Sequence, residues 1–384
     1  MAEKLLSIII PTKDREYYCK RVLDYMLSID DERMEFVIQN NGLSDELDEY
    51  IKKKDDSRIV YKHVYEPLCQ VDNSDQSIAL SSGLYLCFLG DDDIVLPNIM
   101  QIVEYAINNN IDNIAEKNAI GYMWPSDRHP TGLLYFKPAT KSVETVKDQR
   151  KCLETYLRRG CCEQPIDYKL PVLYHGITKR ECIENVKKET GHYVGGSSPD
   201  SYTSVALAKY VKNQVIIDNS FSIWGACPQS ATALNVVGGH CGTLEDAPHL
   251  KNRGRYDWDY LIPRYYSVQT VWAESAITAL RETNNPSAEN LNLKELFCQS
   301  YLLNKTIQKL IIKETHTNVR QNNINPIRFW IGCFLLMPYK KLLPILKRIV
   351  RRISRMLRIS KELNGISVMG VKDISDCVKY ICVE

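Results

Sequence analysis

Ser81-Ser82-Gly83-Leu84-Tyr85-Leu86-Cys87-Phe88-Leu89-Gly90-Asp91-Asp92-Asp93-Ile94-Val95-Leu96-Pro97 is the stretch that decides the fold. Leu84 to Leu89 is a continuous apolar run, which reads as a strand covered on both faces. Gly83 ends a short helix read over Ser77–Ser82, and three carboxylates follow the strand at once. Neighbouring carboxylates repel one another and are costly unless a cation sits among them. Hard divalent cations such as Mg2+ or Mn2+ take oxygen ligands and complete their shell with phosphate oxygens. The plainer reading is a solvated acidic turn in which Asp93 caps the next helix. The position directly after a buried strand favours the metal.

Working outward, the pattern repeats. Leu6 to Ile10 is a β-branched run closed by Pro11, and Phe36-Val37-Ile38 is a second strand stopped by Asn40-Asn41-Gly42. Arg58 to Val64 alternates as a third strand. Between them lie helical periods at Tyr17–Ile29 and Asp45–Lys53, the latter with Ser44 as its N-cap. Strand–helix alternation predicts an α/β fold, a mainly parallel sheet flanked by helices with right-handed crossovers. Ligands of such sheets bind beyond the carboxyl ends of the strands. Thr12-Lys13-Asp14, Asn40-Asn41 and Asp91-Asp92-Asp93 fall in those places. Residues 110 to 260 are turn-rich, and long loops of this kind are often functional. The pattern turns helical from about Asp259. We therefore divide the chain into a catalytic domain over 1–260, a helical extension over 261–325 and a basic amphipathic region over 326–384.

At 384 residues, with 44% apolar and 25% charged side chains, the chain has the balance of a soluble globular protein. Disordered, collagenous and multi-span membrane classes are excluded. The thirteen cysteines show no zinc-like spacing and read as reduced thiols. The N-terminal apolar run is too short for a signal peptide and is followed by Pro11 and charges. The net charge of +2 hides an asymmetry: from Lys340 onward there are eleven Lys/Arg against four Asp/Glu, so the body is weakly acidic. An acidic body argues against nucleic-acid binding, and a basic tail points to an anionic surface.

SIIIPTKDR over 7–15, Gln39-Asn40-Asn41-Gly42 and SSGLYLCFLGDDDIVLP over 81–97, in this order, resemble the family-2-type glycosyltransferases of the GT-A fold. The resemblance covers about residues 5 to 100 and continues loosely to about 260. It implies a nucleotide-sugar donor, a divalent cation (Mn2+ or Mg2+) and an inverting single displacement. It places Pro11, Thr12 and Asp14 in the nucleobase and ribose pocket, and Asn40 where the family usually has a base-pairing Asp. Asp92 matches the metal-binding Asp of the DXD element, Gly90 stands where many members carry its first Asp, and Asp91 and Asp93 would contact ribose or complete the metal shell. The family often has a cation in the helix before this strand, but Asp75 to Leu80 offers none. Phosphate charge then falls more heavily on the metal. Asp200, in Ser198-Pro199-Asp200, matches an acid that serves as general base on the acceptor hydroxyl. Its plainer reading is a helix N-terminal acid after Pro199. Gly195-Gly196 would let the backbone approach a sugar.

Further candidates are weaker. His240 or His249 would complete the metal shell, with Glu245-Asp246 as an acidic alternative. Trp124, Trp224 and Trp258 are candidates for stacking on sugar rings, though aromatic residues are usually core anchors. Cys161-Cys162 reads as structural. In the tail, Lys340 to Arg358 carries eight Lys/Arg and no acid, with Ile345, Leu346, Ile349, Val350, Ile353, Met356 and Leu357 at helical spacing. That is the pattern of an interfacial helix on anionic lipid. The expected function is sugar transfer to a saccharide or lipid-linked acceptor in cell-surface polysaccharide assembly, in the cytoplasm at the inner face of the membrane. A nucleotidyltransferase and a non-catalytic saccharide- or partner-binding module are the alternatives.

Overall fold

The computed structural model describes residues 3–127, 129–230, 240–356 and 365–381. Leu357 and Arg358, singled out in the sequence, lie outside them. The strands are β1 Leu6–Thr12, β2 Met34–Asn40, β3 Ile59–His63, β4 Tyr85–Phe88, β5 Ile94–Val95, β6 Asn113–Glu116, β7 Ile120–Met123, β8 Leu133–Phe136, β9 Val143–Val146, β10 Gly176–Lys179, β11 Gln214–Ile217, β12 Ser222–Ala226, β13 Cys241–Gly242, β14 Tyr266–Ser267 and β15 Ile366–Met369. The longer helices are α1 Glu16–Leu27, α2 Glu46–Lys54, α3 Gln70–Ala79, α4 Ile99–Asn108, α5 Gln149–Arg158, α6 Arg180–Thr190, α7 Pro199–Leu207, α8 Val268–Glu282, α9 Leu293–Leu303, α10 Gln308–Gln321 and α11 Pro326–Met356.

An eight-stranded sheet runs β3-β2-β1-β4-β10-β6-β11-β9. Strands β1 to β4 are mutually parallel, as are β6 and β11; β10 is antiparallel to both its neighbours and β9 closes one edge antiparallel. This is the mainly parallel α/β architecture expected. Side-chain alternation along β1 feeds two cores: Leu6, Ile8 and Ile10 pack with Val22 and Val103 on one face, while Ile9 joins Val205 and Ile277 on the other. Pro11 is tolerated in a central strand for a local reason. The Ile9 carbonyl accepts from Leu89, so Pro11, two residues on, faces the same side, and the β1–β4 ladder has ended there at Ile9 and Phe88.

Three expectations change. The helix before β4 is Gln70–Ala79 rather than Ser77–Ser82, because Glu35 of β2 takes both the Ser82 N–H (2.5 Å) and its hydroxyl (2.7 Å). A boundary at 260 has no counterpart in packing: Ile277, Leu296, Phe329 and Cys333 share one buried cluster with Val205 and Phe88. The region from 326 is not uniformly a basic amphipathic segment either. After α11 the chain returns as β15, pairing antiparallel with β8 in a second sheet of order β15-β8-β7-β12-β5.

Two sheets meet at the acidic stretch. Strand β4 belongs to the large sheet and β5 to the small one, and only residues 89–93 join them. That crossing buries Asp91, Asp92 and Asp93.

Candidate active site

Burial of three adjacent carboxylates demands partners, and each acid has a different set. Asp91 accepts from the Thr12 hydroxyl (2.6 Å) and is gripped by Arg15 through Nε (3.1 Å) and Nη2 (2.6 Å). Burial still raises its carboxyl to about 7, against the pull of Arg15. Asp92 Oδ2 accepts the Cys227 backbone N–H (2.9 Å), whereas Oδ1 has only Arg15 Nη1 at 3.6 Å. Burial and the neighbouring Asp93 raise Asp92 as well. Asp93 is saturated. Its Oδ2 takes the Gly90 N–H (2.7 Å), the Tyr174 hydroxyl (2.9 Å) and His175 Nε2 (2.9 Å), and its Oδ1 takes the Gly225 N–H (2.6 Å). Burial pushes Asp93 up, but His175 and these donors reverse the shift and hold it below the ordinary range.

The three acids therefore do not converge on one point. Asp93 braces the loop, and Asp92 Oδ1 is left as the least engaged oxygen. The backbone that makes this possible is tight. A Cβ on Gly225 would lie 1.7 Å from the Asp92 carbonyl oxygen, so β12 can pass there only as glycine. Trp124 Nε1 donates to that same oxygen (3.1 Å).

His175 connects the acids to the second sheet. Its side chain is fully buried, its Nδ1 meets the Ser222 hydroxyl (2.6 Å), and Trp224 stacks on its ring with centroids 4.2 Å apart. Its φ of 51° is left-handed, a cost that these contacts offset. Glu116 lies behind: its Oε1 accepts the Phe221 (2.6 Å) and Ser222 (2.7 Å) N–H groups, its Oε2 has no hydrogen-bond partner among the described residues, and burial lifts it to about 7.

Asp200 is the second residue of α7, after Pro199. Its side chain is open to solvent, yet enough protein surrounds it to push its carboxyl to about 6, with His175 and Asp93 inside its electrostatic reach. The turn that carries it is pinned to α8. Ser275 Oγ accepts the Ser197 (2.9 Å) and Ser198 (2.7 Å) N–H groups, and Glu274 Oε2 takes the Ser197 N–H (3.1 Å) and hydroxyl (2.6 Å). Gly196, at φ +61°, sits so close that a Cβ would meet Ser275 Cα at 2.7 Å. The glycines thus serve helix packing.

The remaining candidates disperse. Pro11 is the next-to-last residue of β1, and Asp14 is exposed in the left-handed region at φ 55°. Asn40 is fully buried and engaged: its Oδ1 takes the Gly42 N–H (2.8 Å) and its Nδ2 reaches the Tyr61 hydroxyl (3.3 Å). It shapes the loop instead of presenting an edge to a base. A hollow of about 440 Å³ opens beside it, lined by His63, Tyr65, Glu66, Leu68 and Gln76. Lys13 and Asn41 bind each other at its rim (2.8 Å). His240 packs against Tyr266 and His249, and no contact from either histidine to the acids occurs among the described residues. Trp124 and Trp258 are buried, with their N–H groups on backbone carbonyls, so they anchor the fold and do not stack on sugars. Lys340 is not part of a solvated basic face; it is buried against Glu295.

Residues 7–155 match the sequence model of glycosyl transferase family 2. These residues form a family 2 glycosyl transferase domain. The match contains Thr12, Arg15 and all three acids, while Asp200 lies beyond it. Among solved structures, TarS 1–349 of S. aureus in complex with UDP-GlcNAc is 11% identical, at a TM-score of 0.44 over 83% of this chain and 92% of that one. The mannosyltransferase PcManGT of Pyrobaculum calidifontis, in complex with GDP-Man and Mn2+, is 11% identical at a TM-score of 0.41 over 89% of each chain. No curated protein matches.

Sequence reading missed three residues of this site: Arg15, Tyr174 and His175. Arg15 stood at the end of the quoted segment 7–15, two residues beyond Lys13. Tyr174 and His175 lie some 80 residues from Asp93, and nothing local in the sequence marks that pairing.

Proposed function

We propose that this protein moves a sugar from a nucleotide-diphospho-sugar to a hydroxyl of a saccharide or lipid-linked acceptor, with inversion, in cell-surface polysaccharide assembly at the inner face of the membrane. The observation that carries this reading is the pairing of a strand-end acid whose Oδ1 is held only by a long contact to Arg15 (3.6 Å), Asp92, with a raised carboxyl, Asp200, within electrostatic reach of the same acid loop. The nucleoside belongs in the hollow beyond β3, whose size is ordinary for a ligand pocket and whose stacked His63 and Tyr65 (3.9 Å) offer an aromatic face.

An all-oxygen donor set suits Mg2+ or Mn2+. Asp92 would hold the ion; Asp91 is taken up by Thr12 and Arg15, and Asp93 already accepts from four donors. When bound, such an ion offsets the charge of the departing nucleoside diphosphate. Arg15, already at the two acids, is the cation placed to meet phosphate. Asp200 accepts the acceptor hydroxyl's proton as that oxygen attacks the anomeric carbon. Its carboxyl near 6 is ionised at neutral pH yet basic enough for the transfer. The Ser275 and Glu274 bonds keep its turn in place.

The test is calorimetry with UDP- and GDP-sugars, with and without Mn2+. Wild type should bind one donor class in a metal-dependent way, and Asp92→Asn should lose that dependence while keeping its melting temperature. Equal, metal-dependent affinity in the variant refutes the assignment of Asp92.

A further inference from the structure

Helix α11 has two unlike faces. One packs on the body: Phe329 and Cys333 are buried, Trp330 sits edge-on to Phe297 (4.9 Å), and Lys340 pairs with Glu295 of α9. The other carries Ile331, Phe334, Leu335, Leu342, Ile345 and Leu346, all at least half exposed, Phe334 at 78%. At 100° per residue these six lie on one side, opposite Phe329, Cys333 and Lys340. The exposed stripe runs from Ile327 to Val350, about 35 Å at 1.5 Å per residue. Isolated apolar residues on a surface need no explanation, but a continuous stripe this long marks a contact site.

Charge decides what covers it. From Pro326 to Arg358 there is no acidic residue, while Lys341, Lys347, Arg348, Arg351, Arg352, Arg355 and Arg358 follow the buried Lys340. Two copies meeting through this helix would bring like charges together with no acid on it to offset them. An anionic lipid surface offers both the apolar layer and the opposite charge.

By length and composition Pro326–Val350 could also cross a bilayer. Spanning would require Phe329 and Cys333 to leave the core and the Lys340–Glu295 pair to separate, each at a cost. We infer that α11 lies in the plane of an anionic membrane leaflet, its exposed stripe in the acyl boundary and its opposite face holding the catalytic body. This widens the contact expected from Lys340–Arg358 to a surface that begins near Ile327. It does not rest on the sugar-transfer reading, which donor turnover in solution tests separately.

The experiment is co-sedimentation of the full chain with phosphatidylcholine vesicles, with and without phosphatidylglycerol. Wild type should pellet with the anionic vesicles and be released by about 0.5 M salt or by alkaline carbonate. Phe334→Ser/Leu335→Ser/Leu346→Ser alters only exposed side chains, so its melting temperature should hold while binding falls roughly tenfold or more. Lys341→Gln/Arg348→Gln should each lose roughly fivefold per charge. Equal binding to neutral and anionic vesicles, or none, overturns the inference. Retention after carbonate would mean a spanning helix and also overturns it. So does a dimer without vesicles that the triple serine variant abolishes.

Discussion

Arg15→Gln is the perturbation that probes the acid loop most directly. Asp91 is fully buried, and its partners are one hydroxyl and this guanidinium. Removing one member of a buried pair costs about 3–5 kcal/mol when the remaining charge is stranded. Arg15 is partly exposed, its side chain 23% accessible, so solvent screening lowers the expectation to roughly 2–3 kcal/mol. The cost must depend on pH. Even with Arg15 present, burial holds Asp91 near 7 in the folded state, above its ordinary 3.8. A raised carboxyl pKa means the folded state binds the extra proton, so stability falls as pH rises from about 4 through 7. Without Arg15 the folded pKa climbs further. The variant's deficit should therefore be small at pH 5 and largest at pH 8. Asp91→Asn removes the stranded charge, so the double variant should recover at least half of the loss at pH 8. The assay is urea unfolding followed by circular dichroism at both pH values, for the four members of the cycle. Additive single effects, or a deficit independent of pH, would refute the buried-pair account.

Three further outcomes are expected. Asp200→Asn should slow transfer by roughly 10²–10⁴-fold with donor affinity unchanged, and should abolish the rise of kcat/KM through pH about 6 that wild type shows as its base ionises; turnover within a few-fold of wild type sinks the role. Glu116→Gln should stabilise the protein at pH 8 and not at pH 4, because a carboxyl lifted from 4.5 to about 7 costs on the order of 3 kcal/mol to hold ionised; thermal melts across that range decide it. Gly225→Ala should destabilise by several kcal/mol, roughly the cost of overpacking with a backbone shift, because its Cβ would overlap the Asp92 carbonyl oxygen. A melting temperature equal to wild type would show that β12 has room to spare.

The first hundred residues were readable because each strand is local and apolar and each site residue sits at a strand's end. Thr12 and Asp91 meet as an α/β crossover rule requires. Legibility fails where partners come from far along the chain. His175 reaches Asp93 through a strand, β10, that runs against the parallel order, and no periodicity marks such an insertion. The two-residue β5 is too short to register as a strand, yet its place in the second sheet makes the crossing at which all three acids are buried. Asn40 shows a different limit: it stands at the end of β2, but its side chain bonds Gly42 of its own loop and Tyr61 of β3. Lys340 looked like one of eight equivalent cations, and only packing sets it apart.

The return of the chain as β15 gives the far end of the sequence a say in the chemistry. Val371, two residues past that strand, accepts from the Tyr122 hydroxyl (2.8 Å), Asp373 pairs with Arg21 of α1 (3.2 Å), and Ile374 and Cys377 share a core with Trp124. Trp124 in turn holds the Asp92 carbonyl. Shortening the protein from its carboxyl end would therefore loosen the wall behind the acid loop before it touched the surface helix. A truncation meant to separate membrane attachment from sugar transfer would damage both, whereas substitutions on the exposed stripe leave that wall standing.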